Sequence, residues 1–569
     1  MSAARRPEGA DLVRELRAIR AATGRAAASR KQALLRALDA MPIDDPEDLL
    51  GLHESALFLR AYPDSPAILR AADAALRMVP ARVRRLERRD GELPDALDAS
   101  GIAGTTVSCA FSLPVVHWLS SRFRRSVRVE GLEEAEDRLG EALPSVLLPA
   151  EGEALADGYV RPREWLKRTA AGADSASPPR VASLFDGTES PERAALWAAM
   201  DLTVSWDLGD GPGSRSLARS PEGKAAFRSQ ARRRTRPDLL EELRKGGYPV
   251  TRATRAEARR WIDTAMAAVT ARFREMHTFA HASERDVWVA EAGSGVRIAL
   301  FGVHPEARHA LRAFYGYLIA RNGVPVGYGD AVMLFDWGEL NFHVFETFRQ
   351  ADSARLYATM VRLLRHRFGI RYLHLNPYQF GRRNDEAIRT GAFWFYEKLG
   401  FRPLDPSLVR AWRAERKRLA LDPAYRTSRA TLRRLATAPM GLALDAPAGA
   451  LMRRYRGFHP VNLALEVSRR IESRHGGDRL AASGAFLDRV LEVLGVSWTL
   501  EELRALGRIA PFLDLVPDLE SWSAARRRSL AAVIRAKAGE NELDYLRGTQ
   551  DHRALRDALT MPLGRAPRS

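Results

Sequence analysis

The sequence predicts an α/β protein in which a mixed sheet with packed helices, over residues 241–405, is flanked by mainly helical N- and C-terminal regions. Three observations carry this. Apolar residues recur at helical spacing on both sides of the middle, at Leu12, Leu16 and Ile19 and again at Leu463, Val467 and Ile471. Between them, short apolar runs bounded by turn residues replace that spacing. Asn322-Gly323 separates two such runs, a strong hairpin signal because both turn positions take positive φ.

A chain of 569 residues exceeds a single core, and about three or four domains are expected. Residues 1–97 read as helices, with Leu34, Leu35 and Leu38 on a second apolar face and Pro42 and Pro46 as punctuation. Residues 98–240 are a mixed α/β or helical region of no recognisable type, with a polar tract at 170–179 (AAGADSASPP) and a glycine-rich stretch at 209–213.

In 241–405 the order is β-α-β-β-β-α-β-α. A short strand at 248–253 precedes a helix with Ile262, Met266, Val269 and Phe273 on one face. Strands follow at 287–290 and 298–303, then the hairpin 311–320 and 324–333, then a tight turn at 336–338. The strand 339–345 alternates, with Leu340, Phe342 and Val344 facing a core and Glu339, Asn341 and His343 on a polar face. A helix at 352–368 turns Leu356, Met360, Leu363 and Leu364 inward and leads to a strand at 372–375. One last helix carries Ile388, Ala392, Phe395 and Leu399 and ends at Gly400. Residues 406–569 return to helical spacing, with a capping box from Thr499 to Glu502 and an arginine-faced helix near 522–534.

The runs NGVPVGYG (322–329), VF (344–345), FRQADSA (348–354) and GAFWFYEKLGFRP (391–403) come in the order of successive motifs of the GNAT acyl-CoA N-acyltransferase superfamily. Residues of about 245–405 thus resemble that family. The resemblance implies a GNAT-like fold, acetyl-CoA or another acyl-CoA as co-substrate, and an amine-bearing acceptor. It places Arg349, Asp352 and Ala354 at the three defining positions of the loop whose helix N-terminus binds the cofactor pyrophosphate. It also places backbone donors near Val344 at the thioester carbonyl, and Tyr396 as the acid that protonates the leaving thiolate.

Asp352 stands where the family has glycine. Its carboxylate is expected to accept from the N–H groups of Ala354 or Arg355, in the place a phosphate would take. Arg389 stands where the family's usual asparagine precedes the tyrosine. Glu339 and His343, on the polar face of their strand beside the expected cleft, are the candidates for the base that deprotonates the amine. Each site residue has a plainer alternative. Tyr396 can simply pack in the core with its hydroxyl satisfied, and Glu339 and His343 can be ordinary polar groups of an exposed sheet face.

A net charge of +18 and a pI near 10.4 permit nucleic acid as partner, but the pattern does not favour it. Only seven of the 89 basic residues are lysine, and the densest run, 228–236, lacks the interleaved aromatics of single-strand binding. The lone Cys109 excludes an intrachain disulfide and fits a reducing compartment, so the cytoplasm is expected. Residues 1–20 lack a signal-peptide core, and 102–119, broken by Pro114 and His117, falls short of a membrane span.

DLGDGPG at 207–213 is similar to the first motif of S-adenosylmethionine-dependent methyltransferases, but no helix and acidic-ended strand follow it; a glycine-rich turn is the simpler reading. His277 and His281, four apart, have no third ligand at metal-site spacing, so no metal is expected and both are read as solvated loop residues. The expected function is acyl-CoA-dependent N-acylation. Its alternatives are a GNAT-like binding or regulatory module without turnover, and a nucleic-acid-associated protein.

Overall fold

The helical spacing at the start of the chain becomes α1 (Gly9–Ile19), α2 (Arg25–Asp39), α3 (Pro46–Ala61) and α4 (Pro66–Asp90). Proline opens α3 and α4, and Asp45 and Ser65 cap them by accepting backbone N–H groups. These features belong to a computed structural model that describes residues 9–170, 174, 177–185, 191–221, 223–228, 238–445 and 448–560. The basic run beyond Arg228 and five residues of the 170–179 tract lie outside the described residues.

Residues 98–240 contribute a small antiparallel sheet in the order β1-β3-β2, from β1 (Thr106–Cys109), β2 (Val127–Glu130) and β3 (Thr203–Asp207). The stretch 102–119 forms β1 and the start of a ten-residue helix, Leu113–Arg122. After β3 the next helix among the described residues is Leu239–Arg244, so nothing described there builds a dinucleotide-type crossover. No helix among the described residues is long and apolar enough to cross a membrane.

The central sheet has nine strands in the order β11-β12-β10-β9-β8-β7-β6-β5-β4. They are β4 (Val250–Arg252), β5 (Ala282–Gly293), β6 (Val296–Val303), β7 (Ala313–Arg321), β8 (Val324–Leu334), β9 (Trp337–Val344), β10 (Tyr372–Leu375), β11 (Arg402–Pro403) and β12 (Met440–Ala443). Every neighbouring pair is antiparallel except β9 and β10, which are parallel. The β7–β8 turn takes φ of 48° at Asn322 and 82° at Gly323, as the residue pair predicts. The sheet does not stop at residue 405, because β12 comes from the region expected to be helical and inserts between β10 and β11.

Three expectations are corrected. Phe273 lies beyond its helix, Arg255–Thr270, at positive φ and exposed; Met266 and Val269 are buried as expected, with Trp261 and Ala265 beside them. The turn before β9 falls one residue earlier, with Phe335 at φ 56°. The last helix is two, Asp385–Thr390 and Ala392–Glu397, because Gly391 adopts a left-handed conformation, φ 67°, that ends the first.

The long helix Arg349–Arg367 buries Leu356, Tyr357, Met360, Leu363 and Leu364, each large side chain worth roughly 2 kcal/mol in removed apolar surface. Its Tyr357 meets Phe342 edge to face at 5.2 Å, which assigns the Leu340 and Phe342 face of β9 to this helix. The opposite face, with Trp337 and Glu339, receives Phe458 and His459 from the C-terminal region.

Candidate functional site

The parallel β9–β10 pair is short. Trp337, Gly338 and Glu339 stand opposite Tyr372, Leu373 and His374, and the pairing then ends. β9 runs on to Val344 with only β8 beside it, while the chain after β10 turns away through the 3-10 segment Pro377–Phe380. Beyond Glu339, β9 therefore has no strand partner on that side, which leaves an opening in the pairing of the sheet.

Gln379 sits in that opening. Its amide donates to the Leu340 carbonyl at 3.0 Å and to Asn341 Oδ1 at 3.1 Å, and its Oε1 accepts the Tyr396 hydroxyl at 3.0 Å. Asn341 in turn donates to Asp330 Oδ1 at 2.7 Å. A continuous hydrogen-bond chain thus runs from Tyr396 through Gln379 and Asn341 to Asp330. Burial, with the negative charge of Glu339 adding to it, pushes the Asp330 pKa up to about 6.

Tyr396, on the Ala392–Glu397 helix, is buried against Tyr357 and Phe401 with ring centroids 5.6 and 5.9 Å away. Burial pushes its phenol pKa up. Core packing and a place beside the opening are both true of it.

The structure corrects the exposed-face reading of Glu339, which is 8% exposed and paired with His459, Nε2 to Oε2 3.4 Å. Burial opposes its ionisation, but the His459 hydrogen bond and the charges of His374, His459 and Arg312 outweigh it and hold its pKa below the usual value. His343 is exposed at the rim and lies flat on Tyr328, centroids 5.2 Å apart. Desolvation in that stack and the nearby Arg274 and Arg349 lower its pKa.

Val344 ends β9, and its carbonyl accepts Arg349 Nε at 3.3 Å; Arg349 also pairs with Glu386. The long helix starts at Arg349 rather than at 352, and no side chain caps it. Asp352, expected to be that cap, instead sits at a kink, φ −153°, ψ 19°. Its carboxylate lies 3.3 Å from both Arg321 and Arg355, because two guanidinium groups outbid a backbone N–H for a half-buried charge. Ala354 follows half-buried one turn into the helix. The segment before the helix is docked on α3, where Thr347 donates to Glu54 and Phe348 stacks on Phe58 at 6.4 Å.

Sequence reasoning missed Asp330, Gln379, His374 and His459. Gln379 and His459 lie in a turn and at a helix start, and only the folded register brings them to β9. The His277 and His281 rings meet at a tilt with centroids 4.4 Å apart, but only His277 is exposed; burial pushes His281 to about 4. Among the described residues, one group brings three potential metal ligands within 4.8 Å of one another: Glu339, His374 and His459.

No family model, curated protein or solved structure matches the chain. The chemistry open to the site follows from its groups. A strand edge without a neighbouring strand, whose Leu340 and Val344 carbonyls accept only side-chain donors, a phenol tied to it through Gln379 and a carboxyl near neutrality suit proton transfer to and from a bound ligand.

Proposed function

We propose that the protein is an acyl-CoA-dependent N-acyltransferase acting on an amine. The observation that carries this reading is the opening where β9 outruns β10, with Tyr396 held at its edge through Gln379 and the Leu340 carbonyl. An extended pantetheine arm would pair with the strandless edge of β9 in place of the Gln379 amide and the Arg349 guanidinium. Tyr396 would then stand near the sulfur as the acid, and Asp330, with a pKa of about 6, is better suited than the ion-paired Glu339 to accept the amine proton. Arg321 and Arg355, converging on Asp352, supply the cationic surroundings a diphosphate needs.

A second reading, a binding module without turnover, is favoured by one fact. Tyr396 and Asp352 already have partners within the chain. Calorimetric titration with CoA separates the two. Stoichiometric binding that tightens in Gln379→Ala, together with acyl transfer to a primary amine, supports the enzyme. Absence of CoA binding by both wild type and Gln379→Ala would sink the acyltransferase reading.

A further inference from the structure

Glu339, His374 and His459 meet on the face of the sheet opposite the long helix, and each arrives by a different route. Glu339 and His374 are register partners on the parallel strands β9 and β10, so their side chains leave the sheet side by side. His459 is the residue before Pro460, at the start of the helix Pro460–His475, and stands over both. The ring centroids of His374 and His459 are 4.9 Å apart, and Trp337 flanks them at 5.7 and 5.5 Å.

His374 is 6% exposed, and its Nδ1 is buried with no hydrogen-bond partner. A buried imidazole nitrogen without a partner is costly, and such a group calls for an explanation. We propose that Glu339, His374 and His459 form a binding site for a divalent transition cation of the zinc type.

Two imidazoles and a carboxylate are the donor set that borderline cations prefer, and three protein ligands leave a fourth position open. A tetrahedral zinc with bonds of about 2.1 Å sets its donors roughly 3.4 Å apart. His459 Nε2 and Glu339 Oε2 already stand at 3.4 Å. The three donor atoms all lie within 4.8 Å, so a small rotation of the His374 ring closes the set.

His459 Nδ1 accepts the Val461 N–H at 3.2 Å, which puts the ring proton on Nε2, pointing at Glu339. Coordination through Nε2 moves that proton to Nδ1. The Val461 N–H then loses its acceptor at an exposed helix end, where water replaces it. The net loss is one cap, small beside three metal bonds.

The test uses the full chain stripped of metal and titrated with Zn²⁺ in competition with a chromophoric chelator, and with Co²⁺ followed by visible absorption. We expect one equivalent bound with submicromolar affinity, a tetrahedral Co²⁺ band and a zinc-dependent rise in melting temperature. His459→Ala, at the half-exposed rim, and Glu339→Gln should each weaken binding at least tenfold with an unchanged circular dichroism spectrum. Wild type that shows no saturable one-to-one binding, or binding that survives His459→Ala at full strength, overturns the site. These readouts need neither CoA nor turnover, so they stand or fall apart from the acyltransferase reading.

Discussion

Two polar clusters are buried against the central sheet, and they are built to different standards. At the β5–β7 end, Lys537 donates to the Arg312 carbonyl and to Glu542, Glu542 accepts the Phe314 N–H at 2.9 Å, and Asp286 accepts from Tyr315 and Trp288 at 2.8 Å each. Arg308 spans the carbonyls of Lys537, Gly539 and Glu540. Each of these charged groups has its partners. At the β9–β10 end, His374 keeps a buried nitrogen with no hydrogen-bond partner. A satisfied cluster fixes the C-terminal helices to the sheet, whereas an under-satisfied one stores interactions that a ligand can complete.

The largest expected effect is at the satisfied end. Glu542→Ala leaves the Lys537 ammonium, 1% exposed, without its counter-ion, and should cost about 3–5 kcal/mol in chemical denaturation. Replacing both, as Lys537→Met with Glu542→Leu, should recover most of that loss. A single variant as stable as wild type would show that this cluster is not the anchor its geometry makes it.

At the open end the expected effect is on rate. Given the acyltransferase reading, Tyr396→Phe should lower turnover about a hundredfold while changing stability by only about 1 kcal/mol, the worth of its bond to Gln379. Unchanged turnover with lowered stability would move Tyr396 into the structural class, with Lys537.

The same contrast explains what the sequence made legible. The β7–β8 hairpin was readable because Asn322-Gly323 is a local demand for positive φ, and the β9 alternation was readable because a strand shows its period within a few residues. The break at Gly391 was not, since Ile388, Ala392 and Phe395 keep helical spacing straight through it. β12 and His459 were unreadable for a different reason. Their roles depend on sheet order and on residues far away in the chain, and no local pattern encodes that.

The pH response is shared by the two ends, since burial also pushes His374 down to about 4. Burial pushes His281 and His309 to about 4, with His277, His304, Arg312 and Lys537 as charged or titratable neighbours. Their folded pKa values lie below the unfolded value of about 6.5, so between pH 6.5 and 4 the unfolded chain binds more protons and stability falls as pH drops. Asp330, raised to about 6, acts in the opposite sense over part of that window. With allowance for screening at their exposed edges, the two histidines should together account for a loss on the order of 2 kcal/mol. Denaturant midpoints measured from pH 7 to 4 should fall, and the fall should flatten in the His281→Gln, His309→Gln double variant. An equally steep fall in that variant would reassign the acid sensitivity to other groups.

The smallest expected change in stability concerns Asp352, which sits between the two standards. Its carboxylate is paired twice, yet both pairs are 3.3 Å long, open to solvent at the Asp352 and Arg355 edges and made from a kinked, non-helical residue. Ion pairs of that kind contribute about 0.2–1 kcal/mol, so Asp352→Gly should lose only a few tenths to 1 kcal/mol. Its effect on ligand should be larger than its effect on the fold. Removing the carboxylate frees Arg321 and Arg355 and takes a repelling charge away from the first turn of the Arg349–Arg367 helix, where the dipole and unpaired N–H groups favour an anion. CoA should therefore bind about tenfold tighter to the glycine variant, with a steeper dependence on salt, as calorimetry at two ionic strengths would show. Dephospho-CoA and pantetheine sharpen the result, because the gain should persist with the first, which keeps the diphosphate, and vanish with the second, which lacks it. A gain of equal size for pantetheine would mean that Asp352 acts on the β9 opening and not on a diphosphate, and Arg321 and Arg355 would then be no more than its structural partners.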